Sequence, residues 1–388
     1  PRAGLRVQLC GDAHLSNFGL FASPERNLLF GLNDFDETLP GPFEYDVERL
    51  AASFVIAARN NEFTDIQARE MAVAAVKAYR EAMAEFAQLS TLEIWYARLS
   101  EGMLQRMLSG DGIRKGKGKK SRRVEKAVQK TAAKARTRDS LQALSKLGER
   151  VDGKYRIVSQ PPLVIPLREL EDRYGMSADE VQHALHEQLR SYRSSLQADR
   201  RTLLERFEII DAARKVVGVG SVGTRAFIVL LQGRDEQDPL FLQVKEATRS
   251  VLEDHLPKSR YRQPGERVVQ GQRMLQAASD IFLGWTKGVQ DNRFLYWRQL
   301  RDMKGSADVE AMRPAGMVFY ARACGWTLAR AHARSGDPIA IAAYLGKSGK
   351  FEAAITDFAQ RYADQNEKDY QAFAAAVGSN RLEAAEEL

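Results

Sequence analysis

Two short runs near the start of the chain have the residue types and spacing that phosphoryl transfer requires. GDAHLSNFG, residues 11–19, places Asp12 and Asn17 five residues apart directly after a strand-like segment. Transfer to a hydroxyl needs a carboxylate to orient the attacking oxygen and oxygen donors to hold a metal ion. An irregular loop of this length can aim both side chains at one phosphoryl group, with His14 between them. Taken alone, the same residues also describe an Asx-rich turn with a buried histidine. Asn33-Asp34-Phe35-Asp36 closes the hairpin that begins at Phe18 and offers the metal-bridging carboxylate. Mg²⁺ takes hard oxygen ligands and keeps several waters, so Asn17 with Asp34 suffices, and Asp36 shares the metal or supports it. An ordinary acidic turn does not explain why the two signals sit at the two ends of one hairpin.

A third run, Gly218-Val-Gly220-Ser221-Val-Gly223, is a complete GxGxxG. A dinucleotide-binding turn would need a helix to begin at the third glycine. The next eight residues are TRAFIVLL, rich in β-branched and aromatic types, so the glycines are expected between two strands, as a flap over phosphates. The next strand is LFLQVKEA. Alternation puts Leu240, Leu242 and Val244 on one face and Phe241, Gln243 and Lys245 on the other. Lys245 then reaches the phosphates, the competing reading being a solvated edge lysine. Its acid partner is expected on the following helix, at Glu266. Glu253 is too close in sequence, and Gln272 is a neutral substitute. His183 and His186, three apart with no third ligand, read as structural or solvent-facing.

The elements that must position these groups are set by periodicity. LRVQL reads as a strand, FGLF and LLFGLNDF as a hairpin, and a helix starts near Asp46. Helical spacing covers Thr64–Gly110 and Ser177–Ile210; the texture turns β-rich at Arg214, and residues from Ala315 onward read as helices. The expected parts are 1–60 (catalytic loop and metal site), 61–210 (helical, with a basic segment), 211–302 (β-rich, nucleotide-binding) and 303–388 (helices completing the helical part). With 388 residues, 44% hydrophobic and 28% charged, the chain is long enough for more than one core and is not a disordered composition. The net charge of +7 is local: residues 111–140 hold twelve Lys/Arg against three Asp/Glu, leaving the remainder slightly acidic. That segment is a solvated face or a docking surface for an anionic partner. It holds no aromatic residue, which argues against a nucleic-acid stacking platform. Apolar runs are too short to span a bilayer. Two cysteines and no visible leader in the residues given point to a cytoplasmic protein.

The loop with His14 two residues after Asp12 resembles GDxHxxN of aminoglycoside and choline kinases. GPFEYDVERLA resembles the segment after their metal aspartate, which implies that Asp46 fastens the catalytic loop's backbone; an ordinary helix N-cap is the other reading. GWTLARAHARSGD, Gly325–Asp337, resembles the helix that precedes the catalytic loop in such kinases, yet here the loop lies at the other end of the chain. A circular permutation accounts for the order. More specifically, GDAHLSNFG, NDFDETLPGPFEYDVERLAAS, VVGVGSVGTR, LFLQVKEA, RVVQGQR, QAASDIFLGW and ARAHARSGD resemble the uncharacterised bacterial family domain of unknown function 2252 over nearly the whole chain. The expectation is an α+β, protein-kinase-like two-lobed fold, circularly permuted, with helical insertions. Its expected activity is Mg-ATP-dependent phosphoryl transfer to a hydroxyl of a small-molecule acceptor. Adenylyl transfer from the same cleft and nucleotide binding without turnover stand beside it. Geometrically, Asp34 and Lys245 should face one cleft within about 10 Å, the scale of a triphosphate. Asn17 should lie beside Asp34, and the helix bearing His332 should pack near Leu5–Cys10.

Overall fold

The computed structural model describes residues 3–110, 119–151, 153–170, 177–216, 223–289, 292–300 and 302–383. Strand β1 (Arg6–Leu9) leads to the hairpin β2 (Phe18–Ala22) and β3 (Leu28–Leu32), then to β4 (Leu39–Pro42), which returns antiparallel to β1. Every residue of β2 and β3 is apolar or glycine, and the hairpin is accordingly buried on both faces. Helix α1 (Glu44–Asn60) comes next, with Glu44 and Asp46 in its first turn, where the helix dipole favours negative charge. Helix α2 (Asp65–Phe86) opens on a complete capping box between Thr64 and Gln67. After it come α3 (Thr91–Tyr96), β5 (Leu99–Ser100) and α4 (Glu101–Gly110). The two-residue β5 adds to β3, a pairing too short to leave a trace in the helical pattern of that stretch.

Helices α5 (Lys119–Arg136) and α6 (Ser140–Leu147) precede a second hairpin, β6 (Gly148–Val151) and β7 (Lys154–Ile157), and the short β8 (Val164–Pro166). Then come α7 (Ala178–Arg193), α8 (Ala198–Leu204) and β9 (Glu208–Lys215). The sequence pattern carried helix through Ile210 and began the β-rich region at Arg214; the strand in fact begins at Glu208. EIIDAARK has good helix formers and no clean alternation, so pairing with its neighbours, a tertiary effect, decides its state. Strands β10 (Ala226–Gln232) and β11 (Pro239–Ala247), helix α9 (Pro264–Leu275), and strands β12 (Gly284–Lys287), β13 (Phe294–Gln299) and β14 (Gly305–Ser306) complete the β-rich part. The chain ends in α10 (Pro314–Ser335), α11 (Pro338–Leu345) and α12 (Lys350–Gly378).

This is a mixed α and β protein with twelve helices and four antiparallel sheets among the described residues. The largest sheet has the order β12-β13-β11-β10-β9-β8. One face packs Leu240, Leu242 and Val244 against Tyr192 and Leu204 of the α7–α8 pair. The other packs Phe241, Ile228 and Leu230 against Leu144 and Leu147 of α6. The alternation expected along β11 is therefore the one observed. The biggest core joins β1 to β3 with α1, α2, α10 and parts of α11 and α12. Helices α2 and α10 approach so closely that a Cβ at Gly325 would lie 2.1 Å from the Ala75 carbonyl oxygen. Among the described residues, no helix is long and apolar enough to cross a membrane.

Candidate active site

The loop after β1 is held from below by one buried carboxylate. Asp46 Oδ2 accepts the N–H of Cys10 at 2.6 Å and Asp46 Oδ1 that of Gly11 at 3.0 Å. His332 of α10 places Nε2 3.1 Å from the same carboxylate, and its Nδ1 lies 2.9 Å from the Tyr79 hydroxyl. Burial pushes the Tyr79 hydroxyl well above its usual pKa, and the nearby Asp46 and Glu44 charges add to the effect. Asp46 is the third residue of α1, whose N-cap position is Phe43, so it caps the loop and not its own helix. Gly11 is required there: φ is +92°, and a Cβ would stand 2.3 Å from the Glu37 carbonyl oxygen. Helix α10 packs against β1, with Ser335 Oγ accepting the Gln8 N–H at 3.1 Å, as the position of His332 led one to expect.

Above that anchor the loop organises itself. The Asp12 carbonyl accepts from the His14 N–H (2.9 Å) and from Asn17 Nδ2 (2.7 Å). The Asp12 carboxylate takes Arg49 Nε at 2.8 Å and lies 3.6 Å from His14 Nε2, while His14 Nδ1 accepts the Ser16 N–H. Arg49 is three residues past Asp46 on α1, on the same helical face. Burial lowers the His14 pKa; Asp12 opposes this and Arg49 reinforces it. In the hairpin register Phe18 faces Leu32, which puts Asn17 opposite Asn33, whose N–H donates to the Asn17 carbonyl at 2.9 Å. The turn of one hairpin thus lays the loop of Asp12 beside the segment of Asp34.

The sheet supplies the opposite wall. Lys245 of β11 faces Tyr296 of β13, and Gln243 faces Arg298, forming two cross-strand pairs on one face. Lys245 Nζ is 2.5 Å from Asp36 Oδ2 and 3.8 Å from Asp34 Oδ2, across 209 residues of sequence to Asp36. The Tyr296 hydroxyl donates to Asp36 Oδ1 at 2.6 Å, so both Asp36 oxygens are engaged. Arg298 donates to Gln243 Oε1 (3.0 Å) and to the Asn33 carbonyl (3.1 Å). Burial works to raise the Asp34 pKa, but Lys245, Arg298 and the N–H groups of Asp36 and Phe35 outweigh it and hold the carboxyl below its ordinary value. Lys245 is buried, while the Asp12, Asp34 and Asp36 carboxylates remain partly open to solvent, at 42%, 37% and 37%.

Some expectations need correction. The acid partners of Lys245 are Asp36 and Asp34; Glu266 makes no ion pair with it among the described residues. Helix α9 does reach the site, one residue later, through Arg267. That guanidinium donates to the carbonyls of Thr38 (2.8 Å), Asp36 (2.7 Å) and Thr248 (2.9 Å). Gln272 donates to Gln276 instead. Gly218, Gly220 and Ser221 lie outside the described residues. Gly223 is described, with φ +93°, and β10 begins three residues later, so no helix starts there. Sequence reasoning missed Arg49, Arg267, Tyr296 and Arg298. Alternation in FLYWRQ pairs Tyr296 with Arg298 on one face, but nothing local places β13 beside β11. Of the basic segment, Arg123, Lys126, Lys130 and Lys134 are exposed along α5, whose Val124, Ala132 and Ala135 are buried.

Among the described residues no group of three His, Cys, Asp or Glu is arranged to hold a metal ion. The donors at hand are the partly open Asp34 carboxylate and the amide oxygen of Asn17, whose nitrogen is spent on the Asp12 carbonyl. That set suits Mg²⁺, which commonly takes one or two carboxylates and completes its shell with water and phosphate oxygens. A cavity of about 330 Å³ lies elsewhere, on the opposite face of the sheet, lined by Leu185, Val229, Val244 and Trp297 among others. Its lining is largely apolar and lacks an acid, so the convergent charges, not this cavity, mark the chemistry.

Fold and site together define a class: a mixed α and β protein whose antiparallel sheet presents a lysine to two aspartates delivered by a hairpin. The chain belongs to the family described as uncharacterized protein conserved in bacteria (DUF2252), whose model matches residues 1–376. No curated protein and no solved structure matches it.

Proposed function

We propose that this protein is a Mg-ATP-dependent phosphotransferase acting on a hydroxyl of a small-molecule acceptor, built as a circularly permuted protein-kinase-like fold. The observation that carries the reading is the meeting of Lys245 with Asp34 and Asp36 beside the Asp12 loop. Phosphoryl transfer depends on positioning and charge stabilisation, and this arrangement brings a cation, a metal-binding carboxylate and a candidate base to one opening. Asp12, held in place by Arg49, orients the acceptor hydroxyl and takes its proton. Asp34 and Asn17 would hold Mg²⁺, which when bound neutralises charge on the phosphates. Asp36 and Tyr296 aim Lys245 at the α- and β-phosphates. The closeness of α10 to β1 supports the permutation, since those two ends would be continuous in the ordinary kinase order.

The test combines labelled nucleotide with two variants. Asp12→Asn should bind Mg-ATP within about threefold of the parent while ATP consumption falls at least about 100-fold, the usual worth of a general base. Lys245→Ala should weaken binding itself. Transfer of γ-label identifies phosphoryl transfer and transfer of α-label adenylyl transfer. Binding with no turnover in the parent protein would leave a non-catalytic nucleotide module, and equal loss of affinity in both variants would show the assigned roles to be wrong.

A further inference from the structure

The face of the large sheet turned away from Lys245 carries the cavity of about 330 Å³, between the strands and α7. Strand register builds its floor. Phe227 of β10 and Trp297 of β13 both stand opposite Val244 of β11, and alternation adds Val229 and Leu295 to the same face. Its roof comes from α7, where Val181, Ala184, Leu185 and Gln188 follow the spacing of one helical face. The walls are fixed in place. Trp297 stacks on Tyr192 of α7 with ring centroids 4.5 Å apart. Gln188 accepts the Val289 N–H at 3.0 Å and donates to the Thr286 hydroxyl and the Lys287 carbonyl, each at 3.1 Å, which ties α7 to the end of β12.

Charge enters the lining at one end. Arg225 lies just before β10 and Arg293 just before β13, and both contribute to the lining. Both flank Glu246 of β11. Its carboxylate accepts the Arg225 N–H at 3.0 Å and Arg293 Nη1 at 2.5 Å, while its own N–H donates to the Arg225 carbonyl at 2.8 Å. Val289, exposed and part of the lining, lies at the same end, since the Gly288 N–H donates to the Arg293 carbonyl at 2.6 Å. Among the described residues the lining thus holds two arginines and no acid. An interior of this kind rejects a polar ligand along its length, and its arginine end disfavours a cation. As a cavity of roughly 150 Å³ accommodates benzene, about twice that volume suits a saturated chain of about ten to twelve carbons.

We infer that this cavity is a binding site for a medium-chain aliphatic carboxylate, its chain beneath α7 and its carboxylate at Arg225 and Arg293. The inference is independent of the nucleotide reading, because Lys245 and Tyr296 point to the other face of the same strands. Calorimetric titration with decanoate, decan-1-ol and butanoate, each at concentrations where it is monomeric, tests it. The parent chain should bind decanoate at one site per chain. Butanoate should bind at least about 100-fold more weakly, since six buried methylenes are lost. Decan-1-ol should bind at least about fivefold more weakly, since it lacks the charge. Ala184→Phe fills the void from α7 and should weaken decanoate at least about tenfold. Arg225→Gln should bring decanoate down to the affinity of decan-1-ol and leave the alcohol within about twofold. Circular dichroism melts report folding, and Val181→Phe is the second filling variant if Ala184→Phe does not fold. No decanoate binding by the parent, or undiminished binding in a folded filled variant, overturns the site. Equal affinity of the parent for decanoate and decan-1-ol overturns the carboxylate assignment.

Discussion

At Asp34, burial and charge pull in opposite directions, and charge prevails. Its carboxyl titrates below the ordinary value in the folded protein because Lys245 and Arg298 face it. A carboxyl whose folded pKa is depressed contributes stability that is present above its unfolded pKa, about 3.9, and is lost as pH falls through the folded value. Urea unfolding of the parent and Asp34→Asn between about pH 6 and pH 2.5 should show a gap in stability at the upper end. That gap should close below about pH 4. Parallel curves throughout would mean that the Lys245 contact contributes nothing. Asp46 illustrates the other kind of residue, fully buried and satisfied by Cys10, Gly11 and His332. Its position in the first turn of α1 is visible in the sequence, whereas the partner at His332 is not.

Among the elements, helices α2 and α10 set the base on which the loop rests, and their contact is governed by Gly325. Helix propensity alone makes Gly325→Ala favourable by about 1 kcal/mol. Packing says the opposite, since the added Cβ would meet the Ala75 carbonyl oxygen at 2.1 Å. Overpacking of this kind costs about 1–3 kcal/mol, so with the propensity gain set against it the variant should be destabilised by up to about 2 kcal/mol in urea unfolding. A more stable Gly325→Ala would show that the two helices separate at little cost. Strand β11 shows how an element aims a residue: period-two alternation turns Lys245 away from the Leu240, Leu242 and Val244 face, and a one-residue slip would bury it in the wrong core.

For the molecule as a whole, the nucleotide reading makes a thermodynamic demand. A ligand bound only by the folded state, at 100 times its dissociation constant, adds about 2.7 kcal/mol of stability. Thermal unfolding should therefore move up by several degrees in millimolar Mg-ATP, by less with ATP and a chelator, and little in Lys245→Ala. No shift with the parent chain would remove every nucleotide reading at once. Measured on the same samples, Asp12→Asn should shift as the parent does, because its proposed task begins only after binding.

Local patterns sufficed for the residues that act through their own segment. Hairpin spacing put Asp12, Asn17 and Asp34 side by side, alternation turned Lys245 to the proper face, and helix periodicity located α1, α2 and α10. These are short-range effects, fixed by backbone geometry over a few residues. The sequence also carried the family through its motifs. What it could not determine was who meets whom across long separations. Lys245 meets Asp36 in place of Glu266 because β11 and β13 pair and leave the hairpin's end beneath them. Arg267, Tyr296 and Arg298 enter the site by sheet order and helix docking, and β9 is a strand because β8 and β10 flank it. Such choices are made by the joint burial of distant surfaces and the pairing of backbone groups between strands, and no window along the chain contains both partners.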